Sequence, residues 1–497
     1  MSDAMTTEAK SEGANRRLVV KNTLYLTLSQ VVTVPLSVLV NALTARYLGA
    51  ETFGYLYLAG TFGGFGVLAV GWGHEGVLPA MVARDRSLAG VLLGSSFAWR
   101  AAASVVVYAV LAALCALLGY GSELQWALAL TFAGLVLHSA VGACKDAIRG
   151  FERADIPAIA HVGQQLLGAA LVVPVVLLGG RMRAVLVVGL VTVMIVLALI
   201  LRTLKPVGIS KLSVQASALK TLFVGGTPFV MFNLALALQP IIDGVYLSKL
   251  GSVEAVGWYA VARKLIGLLI FPATALIGAL YPTLCRLWAE NQGEYRNVAR
   301  GSLHSIALLV MPIALGCALY PDVGIAIFSK QAYGPAADDL RVLALFLFLM
   351  YFSMPLGTIV LAAGKQRAWS VVQSLCIVVS LVLDPFLTPW FETHYRNGGL
   401  GPCVASVVSE AIVVGCGIAL APSGVFNTKL WRTLLFAGVA GGAMAGVAWL
   451  LRTLNPFLGA PVAVLAYGAA LWATGEIDRS HLEQVRGVVM RKLSRAR

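Results

Sequence analysis

The sequence predicts an all-α polytopic membrane protein of fourteen transmembrane helices. Three observations carry this. First, the 497 residues are 59% hydrophobic and only 12% charged, whereas a soluble protein carries about 25% charged residues. Second, the apolar residues fall in long blocks such as VVVYAVLAALCALLGY, AVLVVGLVTVMIVLALIL and VLALFLFLMYFSMPLGTIVLAA. Each belongs to a segment that reaches the roughly 20 residues needed to cross a bilayer. The blocks are continuously apolar rather than alternating, which selects helices over a closed barrel. Third, the basic residues between the blocks alternate in density, as the sidedness of a membrane protein demands.

The predicted spans are 21–46, 53–75, 89–119, 124–146, 156–178, 184–203, 219–246, 253–283, 301–320, 338–363, 367–388, 400–420, 430–451 and 457–475. With the N-terminus in the cytoplasm, Lys10, Arg16, Arg17 and Lys21 precede helix one on the inside, and Arg46 closes it outside. Arg84 and Arg86 follow helix two; Lys145, Arg149 and Arg153 follow helix four; Arg202, Lys205, Lys211 and Lys220 follow helix six. Arg286, Arg296 and Arg300, then Lys365 and Arg367, then Lys429 and Arg432, mark the inner ends of the later pairs. Counting the tail from Arg479, twenty-six cations lie inside and eight outside. A missed helix would invert the bias downstream, so both termini are expected in the cytoplasm.

The net charge of +14 is explained by this orientation, and nucleic acid is not an expected partner. The seven cysteines, Cys115, Cys144, Cys285, Cys317, Cys376, Cys403 and Cys416, form no CxxC, so neither a disulfide framework nor a zinc site follows. No cofactor is expected. No cleavable signal peptide is expected either, because the first apolar run is full length. No outer loop is long enough for a catalytic domain, and no GxxxxGK[ST] loop occurs, so direct ATP drive is not expected.

The chain repeats itself. YLGAETFGYLYLA (47–59) and KLGSVEAVGWYAVA (249–262) align Leu48-Gly49 with Leu250-Gly251, Gly54 with Gly257 and Ala59 with Ala262. Both lie in the outside turn between the first two helices of a six-helix set. The expected organisation is a cytoplasmic tail (1–20), a six-helix bundle (21–205), a linker (206–218), a second bundle in parallel orientation (219–423), two further helices (424–475) and a basic amphipathic tail (476–497). Parallel repeats are a transporter architecture. In the tail, Leu482, Val485, Val489 and Leu493 share one face among basic residues, which suits anionic membrane lipid.

Five stretches carry a family pattern: ARYLGAETFGYLYLA (45–59), IRGFERADIPAIA (148–160), DGVYLSKLGSVEAVGWYAVARKL (243–265), IFSKQAYGPAADDLRVLA (327–344) and LAAGKQRAW (361–369). In order and spacing they resemble the polysaccharide flippases of the O-antigen or capsule type (Wzx-like). That family lies within the superfamily that also holds lipid II flippases and multidrug and toxin extruders. The resemblance implies two bundles around a central cavity and a monomer in the inner membrane. It implies transport of a polyprenyl-diphosphate-linked oligosaccharide to the outer leaflet by alternating access, with ion coupling and contact with polysaccharide-assembly proteins. A multidrug or small-solute antiporter of the same superfamily is the alternative; a membrane polymerase or ligase would need an external loop that is absent.

A sugar-diphosphate head group cannot cross hydrocarbon, so a flippase needs polar stripes and a few buried cations. Helix one carries Thr23, Thr27, Gln30, Thr33, Ser37, Asn41 and Thr44 at a helical period. Such a face can line a cavity, or its hydroxyls can bond their own backbone. Gln30, Asn41, Thr27 and Ser37 are candidate substrate contacts. Once the loop and edge cations are counted, three remain inside the membrane: Arg100, Arg263 and Lys264. A buried cation costs at least about 2.5–3.5 kcal/mol on insertion scales and usually faces water or a partner. Arg263, with Tyr259 one turn before it, and Arg100, about 18 Å deep at 1.5 Å per residue, are candidates for an anionic head group. Glu410 and Asp243 are candidates for ion coupling, and Asp384 is a further buried acid; His138 and His161 read as polar packing residues. Asp243 could instead pair with Arg46 or Lys249. Residues 71–76, GWGHEG, have the spacing of a dinucleotide loop, but they end an apolar helix and lack the surrounding βαβ unit. Their glycines suit close helix packing. His74 and Glu75 read as an interfacial polar pair, or as a gate partner for Arg149.

Overall fold

The computed structural model describes residues 2–475 apart from 210, 329, 330 and 454; side chains are described from Ser29 onward except at 31, 228, 231–237, 275, 276, 278, 279 and 282. The basic tail at 476–497 and the side chain of Thr27 lie outside the described residues. Within them the chain is helical without a strand: α1 (Ser2–Gly71), α2 (His74–Arg84), α3 (Ala89–Leu117), α4 (Ser122–Gly150), α5 (Asp155–Leu177), α6 (Met182–Val207), α7 (Ala216–Leu250), α8 (Val253–Leu269), α9 (Phe271–Glu290), α10 (Gln292–Leu319), α11 (Pro321–Phe328), α12 (Ala336–Ala362), α13 (Gln366–Tyr395), α14 (Leu400–Leu420), α15 (Thr428–Leu450) and α16 (Pro456–Ala473).

Each of the fourteen predicted segments coincides with helix. Among the described residues, twelve helices are long and apolar enough to cross a membrane. The first, Val32–Arg84, covers residues 32–46 of the first predicted span and all of the second, and α7 is not one of the twelve. The boundaries differ for local reasons. The backbone is already helical at Ser2, ahead of the predicted start at 21. Predicted helix eight divides into α8 and α9, because Pro272 at the start of α9 lacks the N–H that would continue the ladder. α10 begins at Gln292, earlier than predicted, where the Asn291 side chain accepts from Gly293 N and Glu294 N, both at 3.1 Å.

The described residues form two compact units, one up to Ala260 and one from Val261. The division falls inside α8. The first unit therefore holds α7 as well as α1–α6. Its core joins α2, α3, α4, α6 and α7 through Leu78, Val82, Leu93, Ile148, Leu204 and Leu222. In the second unit α12 packs on α14 and α10, and α13 on α14. The two C-terminal helices dock on α10 through Met444, Ala463 and Tyr467 against Leu308, Met311 and Leu315. The Tyr467 hydroxyl donates to Leu308 O at 2.8 Å.

The sequence repeat is a physical contact in the first unit. Gly49 sits at φ 80° and breaks α1, a conformation that strains a residue with a Cβ; its counterpart Gly251 ends α7. Gly54 and Gly257 then meet. A Cβ on Gly54 would stand 2.6 Å from Val253 O, and one on Gly257 would collide with Ala50 O. GWGHEG performs the same task between α2 and α7. Trp72 (φ 44°) and Gly73 (φ 66°) turn the chain, and Gly73 and Gly226 approach so closely that a Cβ on either would strike the opposite backbone. The Trp72 ring stacks on Phe223 at 4.9 Å.

Gly257→Ala is therefore expected to destabilise the protein by about 1–3 kcal/mol through overpacking. Gly267→Ala, where an added Cβ meets nothing within 4 Å, should be neutral or slightly stabilising. Thermal unfolding of the two purified variants in detergent checks this; equal melting of both would contradict the tight contact.

Candidate functional site

The first unit buries a hydrogen-bonded chain of charge. Arg100 on α3 is 5% exposed and Asp146 on α4 is also 5% exposed. The guanidinium uses every nitrogen: Nε donates to Ser96 Oγ (3.2 Å), Nη1 to Ser139 O (2.8 Å) and Nη2 to Asp146 Oδ2 (3.5 Å). Arg149 Nη1 reaches the other oxygen of Asp146 at 3.4 Å. On the far side, Ser96 Oγ shares a 3.0 Å hydrogen bond with His74 Nδ1. α4 makes room for the guanidinium at Gly142, where a Cβ would lie 3.3 Å from Arg100 Nη1. Ser139, Gly142 and Asp146 recur at helical spacing and so share one face.

Arg100 is thus a paired arginine rather than a lone buried cation. His74 corrects the interfacial reading: it is buried, because the turn at Trp72–Gly73 folds it against α3, while Glu75 is exposed. The predicted gate residue Arg149 lies beside Asp146.

Two other predicted residues are joined. The Tyr259 hydroxyl donates to Asp243 Oδ2 at 2.8 Å, both groups being fully buried, and Tyr57 meets the Tyr259 ring edge-on at 6.1 Å. Lys249, suggested by the sequence as a partner for Asp243, holds its Nζ 3.7 Å above the Tyr120 ring. Burial raises the Tyr120 phenol above its ordinary range. On α1, Asn41 Nδ2 donates to Ser37 O at 2.7 Å and Thr44 Oγ1 to Val40 O at 2.7 Å, so these two stripe residues bond their own helix. Gln30 is exposed and Ser37 half-buried.

In the second unit, Arg263 Nη2 donates to Ser406 Oγ at 2.7 Å, with its guanidinium 5.0 Å from the Phe346 ring centroid. Glu410 on α14 accepts from the Ser353 hydroxyl of α12. The Glu410 carboxylate lies within electrostatic reach of Arg263. The arrangement is a half-buried cation on an aromatic face with a carboxylate nearby.

Sequence reasoning missed Asp146 and Asp339. Asp146 stood at the predicted edge of helix four, and Lys145 and Arg149 were assigned to the loop beyond it; α4 runs on to Gly150 and carries all three into the fold. Asp339 stood at the start of predicted helix ten, yet it is fully buried and accepts from Asn397 Nδ2 at 2.9 Å. Asp384 is mid-helix because α13 continues to Tyr395; with Ser380 and Thr388 it forms a fully buried face.

A profile for polysaccharide biosynthesis proteins matches residues 19–288. The chain belongs to this family. Among solved structures, the lipid II flippase MurJ in an inward closed conformation aligns with TM-score 0.74 at 11% identity, over 91% of this chain and 99% of that one. An inward-facing multidrug resistance MATE transporter of the MOP superfamily aligns with TM-score 0.64 at 16% identity, over 83% and 98%. The MATE multidrug transporter DinF-BH aligns with TM-score 0.57 at 16% identity, over 84% and 96%. At such identities the likeness establishes the fold. Among proteins with curated functions none matches. This polysaccharide biosynthesis protein is therefore a multi-span membrane protein with the fold of flippases and transporters.

Breaking a buried ion pair by removing one partner costs about 3–5 kcal/mol. Asp146→Ala should lower the thermal stability of the purified protein by that order, and Arg100→Met combined with Asp146→Leu should recover part of the loss. A melting temperature unchanged in Asp146→Ala would show that the pair contributes nothing to the fold.

Proposed function

We propose that the protein is a transporter, not an enzyme, that flips a polyprenyl-diphosphate-linked oligosaccharide from the cytoplasmic to the outer leaflet of the inner membrane. It works by alternating access, with both termini cytoplasmic. The observation that carries this reading is the family match, which fits a lipid-linked saccharide better than a free drug. The buried cations support it, because an anionic head group needs them and a cationic drug does not. Arg263 is the proposed diphosphate contact: its planar fork suits phosphate oxygens, and the Ser406 hydroxyl bonded to it can yield to an anion without leaving a charge unpaired. Of the α1 stripe, the exposed Gln30 and half-buried Ser37 are the proposed sugar contacts. Glu410 and Asp243 are the proposed coupling carboxylates, each bonded to a hydroxyl, from Ser353 and Tyr259 respectively.

Arg263→Ala is expected to abolish export of surface polysaccharide in cells at normal membrane abundance, and Arg263→Lys to restore part of it, since charge remains without the fork. Loss of abundance in proportion to export would make Arg263 structural. Glu410→Gln should slow transport across an imposed pH gradient; an unaltered rate would remove Glu410 as the coupling site.

A further inference from the structure

The first unit contains a cavity of about 210 Å³ whose wall carries Glu75, Arg100, His138, Lys145, Asp146 and Arg149. Three cations stand around it. One carboxylate, Asp146, is divided between two of them at 3.5 and 3.4 Å, longer than the roughly 2.7–2.9 Å of a close charge-assisted hydrogen bond. The third cation, Lys145, is half-buried and makes no hydrogen bond or ion pair among the described residues. Against the three cations the wall sets two carboxylates, Asp146 and Glu75, so one positive charge is in excess and favours an anion there. Size narrows the class. Pockets for drug-sized ligands run to about 300–1,000 Å³, so this cavity is too small for an oligosaccharide and suits a phosphate-scale group.

We propose that this cavity is a phosphate or diphosphate site. Lys145 and Arg149 hold the anion, Arg100 forms its floor, and Asp146 is the internal counter-ion that competes with it. The site is distinct from Arg263 and stands without the flippase reading; only the origin of the anion rests on that reading. A lipid-linked diphosphate would make the cavity a capture point for the head group. A free anion would make it a separate site that senses its concentration.

The test is binding of inorganic diphosphate to the full-length protein in detergent, read by calorimetry, with chloride as control. Saturable binding is expected, weakened at least 10-fold by Lys145→Gln and by Arg149→Gln and left unchanged by Arg286→Gln, an exposed arginine paired with Glu290 away from the cavity. Asp146→Asn, which keeps the shape and removes the competing charge, should tighten binding several-fold, an effect that a purely structural carboxylate would not produce. Competition by a polyprenyl diphosphate assigns the site to the lipid head group; independent binding of the two assigns it to the free anion. Absence of diphosphate binding, or binding kept at full strength in both Lys145→Gln and Arg149→Gln, overturns the proposal. Failure of transport with binding intact would count against the flippase reading alone.

Discussion

Hydrocarbon cannot solvate a charge or an open peptide group. That constraint governs this chain. It forces the backbone into helices that satisfy themselves, and it forces every charge away from the loops to find a partner or a polar cavity. The His74–Ser96–Arg100–Asp146–Arg149 chain shows the constraint met within one unit, by hydrogen bonds that link α2, α3 and α4. Arg263 meets it differently, on a hydroxyl and an aromatic face. Arg100 touches its carboxylate, whereas Arg263 donates to a hydroxyl with the Glu410 carboxylate within electrostatic reach.

Close packing follows from the same constraint. Between membrane helices the hydrophobic drive is weak, and contact is won by letting backbones approach. Gly54 with Gly257 and Gly73 with Gly226 do this against α8 and α7. The repeat seen in the sequence is thus more than a trace of duplication, since its two copies touch through their matched glycines. The spacing of GWGHEG serves a tight turn and a helix crossing, and its likeness to a dinucleotide loop comes from the shared need for backbone approach.

Helices were legible because twenty apolar residues in a row have one physical meaning. The buried charges were legible only where the helix boundary was right. Arg100 stood out inside an apolar run, while Asp146, three residues before Arg149, was hidden by a boundary drawn at its own position. Loop and helix look alike where a helix projects polar turns past the membrane edge, and hydropathy carries no signal for a carboxylate turned onto an arginine of the neighbouring helix. The Tyr259–Asp243 pair illustrates the other limit. Each residue was singled out by itself, but their pairing depends on how α7 and α8 pack, which no spacing within one helix encodes. Asn41 and Thr44 sit on a polar stripe at helical period, yet periodicity cannot distinguish a hydroxyl or amide aimed at a cavity from one turned onto its own carbonyl.

The proposed role of the buried cations is to serve an anionic lipid-linked saccharide. The direct measurement uses purified protein in liposomes that carry a polyprenyl-diphosphate oligosaccharide on one leaflet. A membrane-impermeant glycosidase added to the opposite side reports translocation. Protein-dependent cleavage is expected, and it should disappear when the head group is replaced by an uncharged linkage. No cleavage above protein-free liposomes, with the same preparation transporting a cationic dye, would contradict it and leave a multidrug antiporter as the better description.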